Sequence, residues 1–321
     1  MTHPRHLITL AEWSPTDIES VIRLARDLKT QPSLQENRLA GKTLLQIFEK
    51  PSLRTRLSFE AGMTRMGGHA IFYSLRDSVF GSKESIEDTA RASSRFVDCI
   101  MARLFEHENI VRLAHAATVP VINGLTDHSH PCQILADLVT IEEALGRLRG
   151  IRLAFLGDCH NNVTHSLLTG CSKMGVSISL GCPAGSDYEP QPEILAAAKK
   201  WALESESDVR VFQDPLQAVE GADVIYTDTW MSYQIPENQK NQRIEIFRPY
   251  QVTSDLMNRA NPGAVFMHCL PAQRGYEQTA EVIDGPASIV FDQAENRLWA
   301  QNALLLTLLD QTPKEPIASK G

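Results

Sequence analysis

Residues 41–75 read GKTLLQIFEKPSLRTRLSFEAGMTRMGGHAIFYSL, and the fold is read outward from them. GKTLLQIFEK is a short apolar run entering a polar turn, the pattern of a buried strand. RTRLSFEAGMTRMG then has helical spacing, with Leu57, Ala61, Met63 and Met66 expected on one face. Gly67-Gly68 stops that helix, and HAIFYSL reads as a second strand. Upstream, Ser14-Pro15 suits the N-cap and first position of a helix running to Lys29. Downstream the alternation continues: a helix over 84–95, the strand CIMARL, a helix over 108–117 and the strand VPVING. Strands alternating with helices in this way predict a parallel α/β sheet.

A long helical pattern, QILADLVTIEEALG, then carries the chain to Gly146. Beyond it a second alternation begins with IRLAFLGD, whose near-continuous apolar run suits a strand buried on both faces. VSISLGCP, VRVFQ, ADVIYTD and AVFMHCL follow as strands, and ENRLWAQNALLLTLLDQ as a strongly apolar helix before a polar, Pro-containing end expected to be disordered. The predicted fold class is α/β with two domains, each a parallel sheet flanked by helices, joined by interdomain helices. The expected division is 1–141, 142–298 and a C-terminal helix, 299–321, returning to the first domain. The cleft between the domains is the natural ligand site.

Composition narrows the function classes. At 321 residues the chain fits about two domains. A net charge of −8 makes it a poor partner for nucleic acid, whose phosphates need clustered Lys and Arg. No apolar run approaches the roughly 20 residues of a membrane span, and MTHPRHLITLAEW lacks the pattern of a secretory signal. The six cysteines form no CxxC pair and fit no zinc spacing, so free thiols and a cytoplasmic location are expected, with no metal.

Five segments carry chemistry. In Phe48–Glu60 a strand ends, the chain turns at Pro51-Ser52 and a helix starts, placing unpaired N–H groups beside Ser52, Arg54 and Thr55; that arrangement binds phosphate. His130 before Pro131 can donate to a carbonyl oxygen gaining negative charge, and Gln133 can accept from and donate to an amide. His268-Cys-Leu-Pro271 ends a strand with carbonyls open to an amide NH₂. Gly157–Asn162 follows a strand at the edge where α/β sheets place ligands, and Asp228–Gln234 offers a carboxylate at a strand end. Taken singly, each is equally an ordinary capped helix or a buried strand end.

Taken in order, they resemble the aspartate/ornithine carbamoyltransferase family, over nearly the whole chain. FEKPSLRTRLSFE, SKESIEDTARASSRFVDCIMAR, HPCQILADL, GDCHNNVTHSL, DTWMS, FMHCLPA and FDQAENRLWAQNAL are similar to ornithine-type segments. The resemblance implies carbamoyl transfer from carbamoyl phosphate to the side-chain amine of L-ornithine, giving L-citrulline and phosphate, without a cofactor. It implies carbamoyl-phosphate binding by Ser52, Leu53, Arg54, Thr55, Arg103, His130, Gln133, Cys269, Leu270 and Arg297, with Arg103, His130, Cys269 and Arg297 catalytic. It assigns ornithine to Asn162, Asp228, Ser232 and Tyr233, with His165 nearby. Lys83 matches a loop that in some relatives reaches a neighbouring subunit, so a homotrimer or a multiple of one is expected. Leu53 stands where Thr is usual, Ser232-Tyr233-Gln234 where Ser-Met-Gly is usual, and Gln273 where His is common. The alternatives are another amine, such as putrescine or an N-acylated ornithine, or a catalytically silent regulatory relative.

Overall fold

The computed structural model describes residues 4–76, 84–231 and 235–309, and the statements below concern these. The first half holds helix α1 (Pro15–Thr30), strand β1 (Thr43–Phe48), α2 (Leu53–Arg65), β2 (His69–Ser74), α3 (Ile86–Ser93), β3 (Cys99–Arg103), α4 (His107–Ala116), β4 (Val121–Leu125) and α5 (Pro131–Leu145). The second holds β5 (Arg152–Leu156), α6 (Asn162–Lys173), β6 (Ser177–Gly181), α7 (Pro192–Glu204), β7 (Val209–Phe212), α8 (Pro215–Val219) and β8 (Val224–Thr227). It continues through α9 (Lys240–Phe247), α10 (Ser254–Met257), β9 (Val265–His268), α11 (Ala280–Ile283) and α12 (Val290–Leu309). Ser14 caps α1 as the sequence suggests, with a reciprocal Asp17 contact.

The strands form two parallel sheets, ordered β2–β1–β3–β4 and β7–β6–β5–β8–β9. In each, the strand order reverses beside the first strand: between β1 and β3, and between β5 and β8. Ligands of open α/β sheets bind outside the carboxyl ends of strands at such reversals. Here those ends belong to Phe48, Arg103, Leu156 and Thr227.

Helices rather than loops hold the halves together. α12 packs on α5, α1 and α2, and α5 packs on α6. Residues 141 and 298 lie inside α5 and α12, which run unbroken through the expected domain edges. α12 begins at Val290, five residues before the sequence pattern suggested, and this earlier start carries Gln293 into the interior.

The face of α2 differs from the expectation. Met63 and Met66 are buried with Phe59, but Leu57 is 54 % exposed and Ala61 is exposed too. Leu57 and Ala61, four apart, share the outer stripe, whereas Phe59 and Met63 share the inner one. The strand edge beside them is also open: Ile71, Phe72 and Tyr73 of β2 are exposed. At the opposite edge of that sheet, the N-terminal segment covers β4, with Leu7 paired to Ile122.

Candidate active site

The carboxyl ends of the two sheets face a cleft of about 340 Å³. Of the fourteen residues expected to bind or act on substrate, twelve line it: Ser52, Leu53, Arg54, Thr55, Arg103, His130, Gln133, Asn162, Asp228, Cys269, Leu270 and Arg297. The other two, Ser232 and Tyr233, lie outside the described residues, as do Gln234 and Lys83. His165 is buried beside the cleft without lining it; its Nε2 accepts from the Gln191 N–H at 3.4 Å.

On the first-sheet side the chain leaves β1 and turns into α2. Ser52 is the N-cap, and its hydroxyl accepts from the Thr55 N–H. The remaining N–H groups of the first turn and the partial positive charge of the helix end open to the cleft. Leu53 is the first helical residue and is 70 % exposed at the mouth, so it contributes its backbone N–H and no side-chain hydrogen bond. Thr55 Oγ1 accepts from the Ser52 hydroxyl at 3.1 Å, from Arg103 at 3.5 Å and from Arg297 at 3.2 Å. One hydroxyl thereby registers two buried guanidinium groups that arrive from β3 and α12.

His130 is the residue before α5. Its backbone N–H donates to Ser166 Oγ of the other half at 2.8 Å, and its Nδ1 is buried without a protein partner. Burial, followed by the positive charges of Arg297, Arg103, Lys50 and Arg54, holds its pKa well below 6.5. The imidazole is therefore neutral at physiological pH, a state that still donates one hydrogen bond. Gln133 was expected to read an amide. It lines the cleft, where its Oε1 accepts from Arg297 at 2.7 Å and its Nε2 donates to Asp137 at 2.8 Å. Asp137 also accepts from Gln293 and Tyr226. This buried chain orients Arg297, and it ties α5, α12 and β8 together.

The second-sheet side is built from three strand ends. Gly157, just past β5, has φ +121°, and a Cβ there would meet Trp230 Nε1 at 3.0 Å; both facts require glycine. Asn161 caps α6, so the amino end of α6 meets the cleft through Asn162 and Val163. The Asn162 amide also donates to the Thr126 carbonyl of the first half. Asp228 follows β8; its Oδ1 accepts from the Thr229 N–H at 2.8 Å and from the Cys269 thiol at 3.1 Å. Burial raises the pKa of Asp228, and burial together with the Asp228 charge raises that of Cys269 well above 9. Cys269 is a thiol, not a thiolate, and donates rather than attacks.

Leu270 follows in the left-handed region at φ +57°, uncommon for a branched residue and frequent at working sites. Its N–H donates to His268 Nδ1 at 2.9 Å and its carbonyl accepts from Arg54 at 2.5 Å, closing the cleft from both sides. Asp228, His268 and Cys269 offer ligand-type atoms within 4.8 Å of one another, a spacing a divalent ion accepts. Each already has an internal hydrogen bond in this structure.

Three sets of residues escaped the sequence reading. Lys50, Leu125, Val163 and Thr229 line the cleft. Asp137, Gln293 and Tyr226 orient its cations from behind. Arg243 of α9 donates to the Trp230 carbonyl at 2.8 Å and to Asp158 at 2.5 Å, bracing the strand ends that carry Asp228 and Asn162. Lys50 stands inside the quoted FEKPS run and had a visible signal, a cation two residues before a helix cap. The others carry no local signal, because they meet only across the fold. All six cysteines are free, as expected.

Comparison with known proteins agrees with this geometry. Residues 5–143 match the aspartate/ornithine carbamoyltransferase carbamoyl-P binding domain, and 149–308 the Asp/Orn binding domain of the same family. Ornithine carbamoyltransferase of Methanothermobacter thermautotrophicus is 51 % identical over 95 % of this chain and 99 % of its own. That of Anoxybacillus flavithermus is 49 % identical over 95 % and 96 %. Among solved structures, ornithine carbamoyltransferase from Pyrococcus furiosus superposes with a TM-score of 0.92 at 44 % identity, covering 97 % of this chain and 98 % of that one. Ornithine transcarbamoylase from Giardia lamblia gives 0.89 at 38 %, covering 97 % and 100 %. The chain belongs to the aspartate/ornithine carbamoyltransferase family.

Proposed function

We propose that this enzyme transfers the carbamoyl group of carbamoyl phosphate to the δ-amine of L-ornithine, giving L-citrulline and phosphate. The observation that carries the reading is the charge division of the cleft. Arg54, Arg103, Arg297 and the amino end of α2 gather on one side, and the half-buried carboxylate of Asp228 stands on the other. The cationic side suits a phosphate dianion. The acidic side suits an amino acid carrying an ammonium group and disfavours aspartate, whose two carboxylates would meet Asp228.

Ser52, Arg54, Thr55 and the N–H of Leu53 hold the phosphoryl group. Arg103 and the neutral His130 donate to the carbonyl oxygen as it gains negative charge; one aimed donor of this kind contributes about 2.7–4 kcal/mol. Gln133 and Arg297 fix the carbamoyl end, and the Leu270 carbonyl accepts from its NH₂ once Arg54 turns to phosphate. Asp228, with Ser232, takes the α-ammonium, Asn162 and the amino end of α6 take the carboxylate, and Tyr233 packs on the methylenes. The Cys269 thiol stays bonded to Asp228 beside the attacking amine. The neutral δ-amine forms the new N–C bond, the C–O bond to phosphate breaks, and the proton lost by the amine passes to the departing phosphate, which leaves as hydrogen phosphate. Closure of the cleft aligns the two substrates and excludes water.

The exposed apolar edge formed by Leu53, Leu57, Ile71, Phe72 and Tyr73 supports a homotrimer or a multiple of one. An open apolar strand edge invites pairing and is normally covered. Free thiols suit a cytoplasmic location, and among the described residues no helix is long and apolar enough to cross a membrane. Phosphate release with an amine panel tests the reaction: ornithine is expected to exceed putrescine, lysine and N-acetylornithine in kcat/KM by at least about tenfold, since each buried polar group left unpaired costs about 1–3 kcal/mol. A higher value for putrescine or the acylated amine would replace the proposed acceptor. A stable, active monomer on ultracentrifugation would remove the trimer.

A further inference from the structure

Glu277 lies between β9 and α11, does not line the cleft, and is 1 % exposed. Its backbone is pinned from behind: the Val252 N–H donates to its carbonyl at 2.9 Å, and the Gln251 amide donates to the Tyr276 carbonyl at 2.7 Å. Its side chain joins two loops of the second-sheet side. One carboxylate oxygen accepts from the Gln273 N–H at 3.1 Å, two residues past Pro271. The carboxylate also accepts from its own N–H and from the Thr229 hydroxyl. Gln273 belongs to the loop that carries Cys269 and Leu270, and Thr229 follows Asp228. All three partners are donors, the setting of an ionised carboxylate, which only accepts. Burial first, and the nearby Asp228 charge after it, raise the pKa of Glu277 against these hydrogen bonds. Among the described residues Glu277 has no ion pair. A buried carboxylate without a counter-cation is costly, and buried charges are ordinarily paired.

We propose that Glu277 is a positioning and specificity-determining residue for the amine acceptor: it clamps the two loops of the second-sheet side to each other and adds a fixed negative charge behind Asp228. The inference rests on the carbamoyl-transfer reading. Among the described residues Asp228 is the one acid lining the cleft, and part of its charge is met by Lys50 across it. A second carboxylate in the dry wall behind restores the negative field on that side, where charges act more strongly than in water. The α-ammonium of the acceptor then supplies the counter-charge that Glu277 lacks in the free enzyme. The consequence is selection for an acceptor with a free α-ammonium over one in which that group is acylated or replaced by a hydroxyl. The two parts of the role are separable, because the clamp depends on the reach of the side chain and the selection depends on its charge.

Inhibition of the intact enzyme by L-norvaline and by its α-hydroxy analogue tests this. Both carry the carboxylate and methylene chain of ornithine without the reacting amine, and they differ only in ammonium against hydroxyl. The ratio of their inhibition constants against ornithine, at saturating carbamoyl phosphate, reads the charge. Wild type is expected to prefer the ammonium by about a hundredfold. Glu277→Gln keeps the shape and loses the charge, so the preference should fall about tenfold with kcat within about threefold of wild type. Glu277→Asp keeps the charge and loses one methylene of reach, so the preference should hold within about threefold while kcat falls about tenfold. Circular dichroism confirms that each variant is folded. An unchanged preference in Glu277→Gln overturns the selection, and an unchanged kcat in Glu277→Asp overturns the clamp. Equal losses of preference and kcat in both variants leave a merely structural residue and overturn the proposal. If neither variant folds, wild type decides, and a preference below about tenfold overturns the second charge. A wild type that releases no phosphate from carbamoyl phosphate with ornithine overturns the carbamoyl-transfer reading itself, whereas an active wild type with unaltered variants overturns the role of Glu277 alone.

Discussion

On the first-sheet side of the cleft, Lys50, Arg54, Arg103 and the amino end of α2 come from residues 50–103, and Arg297 of α12 joins them from far along the chain. On the second-sheet side, Asn162, Asp228 and Cys269 come from three separate strand ends, spread over more than a hundred residues. The first side is set by local structure: a strand end, a capping serine, a helix start. The second side is set by topology, which brings the ends of β5, β8 and β9 together around a glycine and a buried Arg243–Asp158 pair. A local device tolerates changes elsewhere but fails sharply when its own charge is lost. A topological device spreads its function over several weaker contacts.

The sharpest test of that difference is Arg54→Ala. It removes a charge-assisted phosphate contact worth about 1.5–3 kcal/mol. It also removes the tie to the Leu270 carbonyl. We expect kcat/KM for carbamoyl phosphate to fall by about two orders of magnitude or more, with the thermal unfolding temperature nearly unchanged. Unaltered steady-state constants would exclude Arg54 from the site. Asp228→Asn should be milder, because an amide oxygen still accepts from Thr229 and Cys269. KM for ornithine should rise by about ten- to a hundredfold, while carbamoyl phosphate affinity, measured by calorimetry, stays within about twofold. An equal loss for both substrates would break the division of the cleft into two sides.

The same contrast explains how much could be read from sequence. FEKPSLRTR suggests a phosphate site because strand end, cap and arginines are contiguous, and the structure sets Ser52, Arg54 and Thr55 around one helix end. His130-Pro131 is legible for the same reason. Asp137, Gln293 and Tyr226 are not: a carboxylate in the middle of α5 looks like a surface residue until the fold buries it against β8 and α12. Leu57 and Ala61 misled because a helix stripe was chosen by apolar character alone. Met63 belongs with Phe59, four residues before it, and an open neighbouring edge leaves the outer stripe exposed.

Asp137 joins the two sides, and its titration reports on the seam. Burial raises its pKa from 3.8 to about 6, against three hydrogen bonds that lower it. The folded state thus holds this proton more tightly than the unfolded chain. Stability from this group is greatest below pH 4 and is lost as pH rises to about 6, by about 1–3 kcal/mol. Asp137→Asn keeps an acceptor oxygen and removes the titration. Urea unfolding of the variant should therefore lack this downward contribution between pH 4 and 6, with less than about a tenfold change in kcat. An identical pH dependence in variant and wild type would place the titrating group elsewhere.

Leu53→Thr should have the smallest effect, and it tests whether the phosphate side is complete. Leu53 occupies the first helical position, with its side chain 70 % exposed at the mouth of the cleft. A threonine hydroxyl there adds one donor toward the phosphoryl group. A net hydrogen bond is worth about 0.5–1.5 kcal/mol, and water competes most strongly at an exposed mouth. The phosphate side already gathers Ser52, Thr55, backbone N–H groups and several cations, so a further neutral donor meets oxygens that are largely satisfied. Carbamoyl phosphate affinity should tighten by less than about threefold. Because Leu53 also belongs to the open apolar edge, its replacement should weaken subunit association more than substrate binding, and sedimentation over a dilution series would show it. Tightening of tenfold or more would mean that the first-sheet side lacks a donor. The cation-rich cluster would then owe its affinity to charge alone, and its strong salt dependence would follow.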